Sequence, residues 1–140
     1  MKDLYAVAKS WEGTPFMPNG RIKGYGVSCQ MLVAEIYTEC GLLPPDVFIA
    51  EGPMDWGMAH KDSRIEKFID TELSKHFAAV EQAPVAGDLL GFKIGGCVHH
   101  LGILCNATEF IHAMRDPGAH FSRIDDATFL KRLARVWRPI

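Results

Sequence analysis

The first half of the chain carries the hydrophobic period of α-helices. Residues 28–40 are the clearest case, because apolar side chains recur there every three or four residues. Ser28 suits the N-cap of the predicted helix, and Gly41 suits the position just past its end. The apolar face of this helix contains Leu32, Val33, Ile36, Tyr37 and Cys40.

Two more helices are expected, over residues 2–11 and 64–77. The second begins with a capping box, in which Ser63 and Glu66 are three positions apart. Between the first two helices, glycine and proline interrupt every regular pattern in residues 12–27, which predicts a loop.

The second half of the chain changes to the period of β-strands. Three short runs, AGDLLGFKIGG, VHHLGILC and EFIHAM, are bounded by turn residues and predict strands. Asp126 is expected to cap a short helix, and the final ARVWRPI to close the sheet. Helices followed by strands indicate an α+β fold, and a length of 140 residues indicates one domain, residues 1–140.

Composition narrows the function classes. The net charge is -2, so no overall field favours nucleic acid or an anionic membrane. No apolar run approaches the roughly 20 residues needed to span a bilayer. The N-terminal MKDLYAVAKSW lacks the apolar core and cleavage site of a signal peptide. We therefore expect neither nucleic acid nor membrane as a partner, and a protein that is cytoplasmic as synthesised.

The four cysteines have neither metal-knuckle spacing nor the density of a disulfide scaffold, so reduced thiols are expected. Cys29 differs from the others because it falls in the first turn of the predicted helix. Unpaired backbone N–H groups and the helix dipole favour a thiolate there. Cys29 is thus a candidate nucleophile, although a helix cysteine is more often a packing residue.

Two strands supply candidate partners for this thiol. Alternation places His100 and Gly102 on one face of the VHHLGILC strand and His99 on the other. A hairpin turn near Asn106 would place His100 directly opposite His112.

Cys29, His100 and His112 could then act as nucleophile, general base and orienting group. Periodicity does not decide whether His99 or His100 faces the cysteine. A zinc site built from these histidines and Cys97 is the less favoured alternative, because no pair has a typical ligand spacing.

Five segments, in this order, resemble the NlpC-type family of papain-like cysteine peptidases, which cut bacterial cell-wall peptides. They are WEGTPF (11–16), GYGVSCQMLVAEIYTECGLLP (24–44), AGDLLGF (86–92), HHLGIL (99–104) and EFIHA (109–113). The resemblance implies a nucleophile-bearing helix packed on an antiparallel sheet. It also implies that Cys29 is the nucleophile, His100 rather than His99 the base, and His112 the third member. A thioester intermediate, no cofactor and no metal are expected.

The sequence departs from the family pattern around the nucleophile. Ser28 replaces an aspartate that recognises the free amine of the substrate, and Phe16 replaces a tyrosine on the oxyanion side. Gln30 and Met31 replace the usual Ser-Gly after the cysteine. Ser28 and Phe16 are therefore candidate substrate-binding residues that question the usual substrate amine.

A third substrate-binding candidate is Trp56. It lies in the long segment 46–83, which we expect to wall one side of the cleft, with Met54 and Met58 beside the tryptophan.

The resemblance implies that the substrate is a peptide bond of bacterial peptidoglycan. The short form and the missing signal peptide favour a phage-tail or prophage-encoded member, with phage tail proteins as partners and delivery to the cell wall by the virion. Two alternatives stay open. One is an acyltransferase or amidase that uses the same triad on a non-murein substrate, and the other is a catalytically silent tail or wall-binding module.

Overall fold

A computed structural model describes residues 3–47, 49 and 63–140. The helices in these residues are α1 (Leu4–Trp11), α2 (Cys29–Glu39), α3 (Arg64–Thr71) and α4 (Ala127–Arg132). The strands are β1 (Arg21–Ile22), β2 (Gly26–Val27), β3 (Phe77–Val80), β4 (Leu89–Ile94), β5 (Cys97–Leu104), β6 (Glu109–Met114), β7 (Gly118–Arg123) and β8 (Leu133–Pro139). This arrangement confirms the predicted α+β class.

Six strands form an antiparallel sheet in the order β3-β8-β4-β5-β6-β7. Alternation along the strands sends side chains into two apolar clusters. The larger cluster joins α1, α2 and α3 to one face and includes Leu32, Leu101, Ile103 and Ile111. The smaller cluster contains Phe92, Leu104 and Phe110, and Phe129 of α4 packs against it.

Helix α2 forms where the hydrophobic period and the capping residues predict it. The Ser28 hydroxyl accepts a hydrogen bond from the Met31 N–H at 3.3 Å, which satisfies one of the unpaired donors of the first turn. Gly41 follows the helix at φ +78°, a backbone conformation that glycine adopts without strain. The helix is buried on almost every side, and it packs against both β5 and β6.

The predicted helix over 64–77 is too long. Ser63 caps α3 as expected, since its hydroxyl accepts the Glu66 N–H at 3.0 Å, but the helix ends at Thr71. Phe77, expected on the helix face, instead opens β3 and pairs with Pro139 of β8. Pairing with a strand that is distant in the sequence therefore places Phe77 in β3, although the local pattern predicts a helix there.

Two further pairings lie outside the predicted elements. Residues 12–27, predicted as a loop, contain the short hairpin of β1 and β2. Strand β7 was not predicted, because the run Gly-Ala-His-Phe-Ser-Arg has no clear apolar alternation, but it pairs with β6 over its whole length. The last strand, β8, does not close the sheet at its edge but lies between β3 and β4.

Candidate active site

Cys29 is the first residue of α2, and its side chain is buried. The thiol donates a hydrogen bond to the side-chain oxygen of Gln30, with Sγ 3.1 Å from Oε1. Because α2 packs on β5 and β6, the helix that begins with the thiol rests on the two strands that carry His100 and His112.

A short extended segment, residues 13–17, connects the backbone just before α2 to β7, the edge strand of the sheet. On one side, Ala119 of β7 accepts a hydrogen bond from Gly13 and donates one to Thr14, both at 2.9 Å. On the other side, Val27 donates to the carbonyl of Pro15 at 2.9 Å. Residues 13–17 thus run between β7 and β2, and they fix the backbone two residues before the thiol.

This connection requires glycine at position 118. Gly118 has φ +93°, and a Cβ built on it would lie 2.4 Å from the carbonyl oxygen of Thr14. Only a residue without a side chain lets β7 approach residues 13–17 this closely.

His100 and His112 form a direct hydrogen bond, with Nε2 of His100 2.8 Å from Nδ1 of His112. The expected register is wrong, because Gly102, not His100, lies opposite His112. The two histidines are diagonal neighbours on one face. Gly102 presents no side chain between them, so the rings can meet.

The hydrogen bond continues to a residue that the sequence did not single out. His112 Nε2 lies 2.8 Å from the hydroxyl oxygen of Ser122 on β7. Ser122 can donate to or accept from the ring, and this choice decides which nitrogen of His112 carries the proton. Strand β7 had no sequence signal, so Ser122 could be found only from the sheet.

Aromatic rings enclose the histidine pair. Phe110 lies 4.5 Å and Phe129 5.2 Å from His112 between ring centroids, and Phe92 lies 5.9 Å from His100. His120, directly across β6–β7 from His112, lies over its ring at 4.4 Å. His100 also follows a bulge in β5, where the register with β4 shifts after Phe92.

This enclosure keeps both rings neutral at neutral pH. Burial, with smaller contributions from the nearby His120 and His99, lowers the pKa of His100 from 6.5 to about 4. Burial also lowers the pKa of His112 to about 2, with added contributions from His100 and His120. A neutral imidazole retains a lone pair that can accept a proton, but the lowered pKa makes each ring a weak base unless a nearby anion stabilises the cation.

The model of one known family, NlpC/P60, matches residues 13–138. The match covers nearly the whole chain, including α2, the histidine strands and β7. The chain belongs to the NlpC/P60 family. This confirms the resemblance, and the family is one of cell-wall cysteine peptidases and hydrolases.

Solved NlpC/P60 structures share the fold. An NLP/P60 family protein from Staphylococcus aureus, described as similar to a lipoprotein, matches 99% of the chain with a TM-score of 0.64 and 21% identity. A Bacillus cereus NlpC/P60 protein matches 96% with a TM-score of 0.66 and 21% identity. The chain spans only 40% and 38% of the lengths of these two proteins.

The NlpC/P60 domain of the peptidoglycan hydrolase SagA is nearer in size. It matches 96% of the chain and 94% of its own length, with a TM-score of 0.57 and 18% identity. No curated protein matches the chain in sequence.

The three substrate-binding candidates fall in different surroundings. Ser28 is fully buried, and its hydroxyl is engaged as the cap of α2. Phe16 is half-buried and forms a parallel bridge with Val27, next to the entry of α2. Trp56, Met54 and Met58 lie outside the described residues.

The other chemically reactive side chains, three cysteines and Asp88, are buried in the packed interior of the protein. All four cysteines are buried and free of disulfides. Burial raises the pKa of the Cys105 thiol to about 12. Asp88 is buried, accepts two hydrogen bonds from Arg138 and accepts one from the Val85 N–H.

Within the described part of the chain, no three His, Cys, Asp or Glu side chains gather in a way that could hold a metal ion. None of the described helices has the length and apolar character needed to cross a membrane.

Proposed function

We propose that this NlpC/P60 chain is a cysteine peptidase or amidase that hydrolyses peptide bonds in peptidoglycan stem peptides. Cys29 is the nucleophile, His100 the general base and His112 the orienting group. The observation that carries the proposal is the hydrogen-bonded series His100–His112–Ser122. The rings lie with Phe92 and Phe110 on the face that α4 covers, and the Cys29 helix contacts the same two strands, β5 and β6, from the other face.

The position of Cys29 suits a nucleophile. As the first residue of a capped helix, its sulfur lies where the helix dipole and unpaired N–H groups stabilise negative charge. Cys40, at the other end of the same helix, lies where the dipole opposes an anion, so it offers a natural comparison.

The hydrogen bonds are compatible with two arrangements of protons, and only one of them makes His100 a base toward Cys29. When the Nε2–H of His112 donates to Ser122, the Nδ1 of His112 is an acceptor, and Nε2–H of His100 donates to it. The Nδ1 of His100 is then a lone pair ready to take the thiol proton. In the reverse arrangement that nitrogen carries a hydrogen and the ring is no base toward Cys29. The proposal therefore assigns Ser122 the role of acceptor, which holds His112 in the tautomer that keeps His100 a base.

The reaction then follows from these groups. The Cys29 proton moves to Nδ1 of His100, and the sulfur attacks the carbonyl carbon of the substrate. The C–N bond breaks as His100 returns the proton to the leaving amine, which leaves a thioester. His100 next removes a proton from water, the hydroxyl group replaces sulfur on the acyl carbon as the C–S bond breaks, and the departing thiolate takes the proton back from His100. Because burial disfavours an imidazolium at His100, the charged state forms at neutral pH only with the thiolate beside it.

The substrate class rests on the family and on SagA, which is a peptidoglycan hydrolase. The short neutral side chain of Ser28 is buried and engaged as a cap. The free amine of a stem peptide would therefore contact a residue other than Ser28. This observation also favours, as a second candidate, an amidase or acyltransferase whose substrate lacks that amine. A phage-tail setting, with tail proteins as partners, belongs to the same proposal.

Incubation with purified peptidoglycan stem peptides, followed by mass spectrometry of the products, tests the function. We expect Cys29→Ala to abolish cleavage and Cys40→Ala to retain it. His100→Gln should abolish cleavage, whereas His99→Gln, its neighbour on the same strand, should retain most of it.

Each other outcome has a defined meaning. Equal losses in His99→Gln and His100→Gln would reject His100 as the specific base. Activity of the wild type only with an added amine acceptor would assign a transferase. An unaltered stem peptide with retained wall binding would identify a binding module.

A further inference from the structure

Gln30 is a polar residue in an unusual place. It is the second residue of α2, and only 2% of it is exposed. Glutamine is normally solvent-exposed, and a buried amide needs hydrogen-bond partners. Its side chain returns to the preceding residue and accepts the Cys29 thiol at 3.1 Å. Adjacent residues on a helix do not normally face each other, so this contact is a specific arrangement.

The chemistry of an amide suits both protonation states of the sulfur. Its oxygen accepts from a thiol S–H, and its NH₂ group can donate to a thiolate. The two ends have nearly the same shape, so a half-turn of the amide exchanges them without a change in packing. A carboxylate or a methionine at this position could not make that exchange.

We infer that Gln30 is a catalytic residue whose amide stabilises the Cys29 thiolate. In the resting protein its oxygen holds the thiol. When the proton leaves the sulfur for His100, the amide turns and its N–H donates to the anion. The inference rests on the proposed role of Cys29 as nucleophile, but it concerns the thiolate and not the substrate.

The test measures the rate at which iodoacetamide alkylates Cys29 as a function of pH, with mass spectrometry to separate the four cysteines. The variants are Gln30→Met, which keeps the size but removes the donor, and Gln30→Glu, which keeps the shape. Gln82→Met, at an exposed position after β3, is the matched control.

Loss of one hydrogen bond to the thiolate should raise the midpoint of Cys29 alkylation by about one pH unit in Gln30→Met, and slow alkylation at neutral pH about tenfold. Gln30→Glu should raise the midpoint at least as far, because a carboxylate repels the thiolate. Gln82→Met should match the wild type.

Wild-type midpoints in both Gln30 variants would overturn the inference. So would an unchanged midpoint with faster labelling of Cys40, Cys97 and Cys105, since that result assigns Gln30 a packing role. The readout needs no substrate. A shifted midpoint in a protein that cuts no stem peptide would therefore reject the proposed function and support the role of Gln30.

Discussion

Lowering the pH from about 7.5 to about 5 should destabilise the fold, because His100 is buried as a neutral ring. Its pKa is about 4 in the folded protein, lowered chiefly by burial, and about 6.5 in an unfolded chain. Below pH 6.5 the unfolded state therefore binds a proton that the folded state does not. The contribution of the neutral His100 ring to the free energy of unfolding is fully present above pH 6.5 and is lost as the pH falls towards 4.

The two pKa values set the magnitude. At pH 5 the difference in proton binding at His100 alone corresponds to about 2 kcal/mol of lost unfolding free energy. His112, whose pKa is also lowered by burial, acts in the same direction. A loss of this size is a considerable part of the 5–15 kcal/mol that is typical of a small protein.

Urea unfolding, followed by fluorescence of the buried Trp11 and Trp137, measures this loss at the two pH values. In His100→Gln, which cannot titrate, the loss between them should be smaller by about 2 kcal/mol. His76→Gln, which removes a histidine outside the pair, is the control. If His100→Gln lost as much unfolding free energy as the wild type over this pH range, the prediction that His100 is buried as a neutral ring would be refuted.

Three further predictions concern single residues. Gly118→Ala should lower the melting temperature more than Gly87→Ala, because both sites have positive φ but only the Cβ at 118 meets backbone; equal losses would contradict the close approach of β7. Ser122→Ala should lower kcat for the stem peptide with little change in KM, since the variant removes the acceptor that the proposal assigns to Nε2–H of His112; a change in KM alone would argue against this. Asp88→Ala should cost about 2 kcal/mol in urea unfolding, because its buried carboxylate holds an arginine and a backbone N–H. Asp125→Ala, which breaks an exposed ion pair, should cost much less.

Several features of the site could be predicted because they depend on neighbours in the chain. The period of residues 28–40 indicates which side chains become buried, and Ser28 and Gly41 mark where the helix ends. The placement of Cys29 in the first turn follows from these alone. Strand alternation likewise places His100 and Gly102 on one face of β5, whereas the register of β5 with β6 decides that His112 shares that face.

The choice of His100 over His99 came from the family resemblance and not from periodicity. It stays a prediction, which the two histidine variants test.

The pairing of the strands in the sheet determined features of the site that alternation along a single strand could not predict. The register placed Gly102, rather than His100, opposite His112, and the β5 bulge beside His100 has no marker in the sequence. Strand β7 is weakly patterned and exists because β6 and residues 13–17 offer paired backbone groups on its two sides. Ser122 enters the site only through that pairing.

The sequence by itself therefore determined the helix that carries the thiol, the strands that carry the histidines and the family. Those features arise from local periodicity and capping, which act over a few residues. Only the tertiary structure decided the histidine hydrogen bond, its extension to Ser122 and the return of Gln30 to the thiol. Each of these depends on which distant backbone groups pair and on what their packing encloses, and a pattern of neighbouring residues does not carry that information.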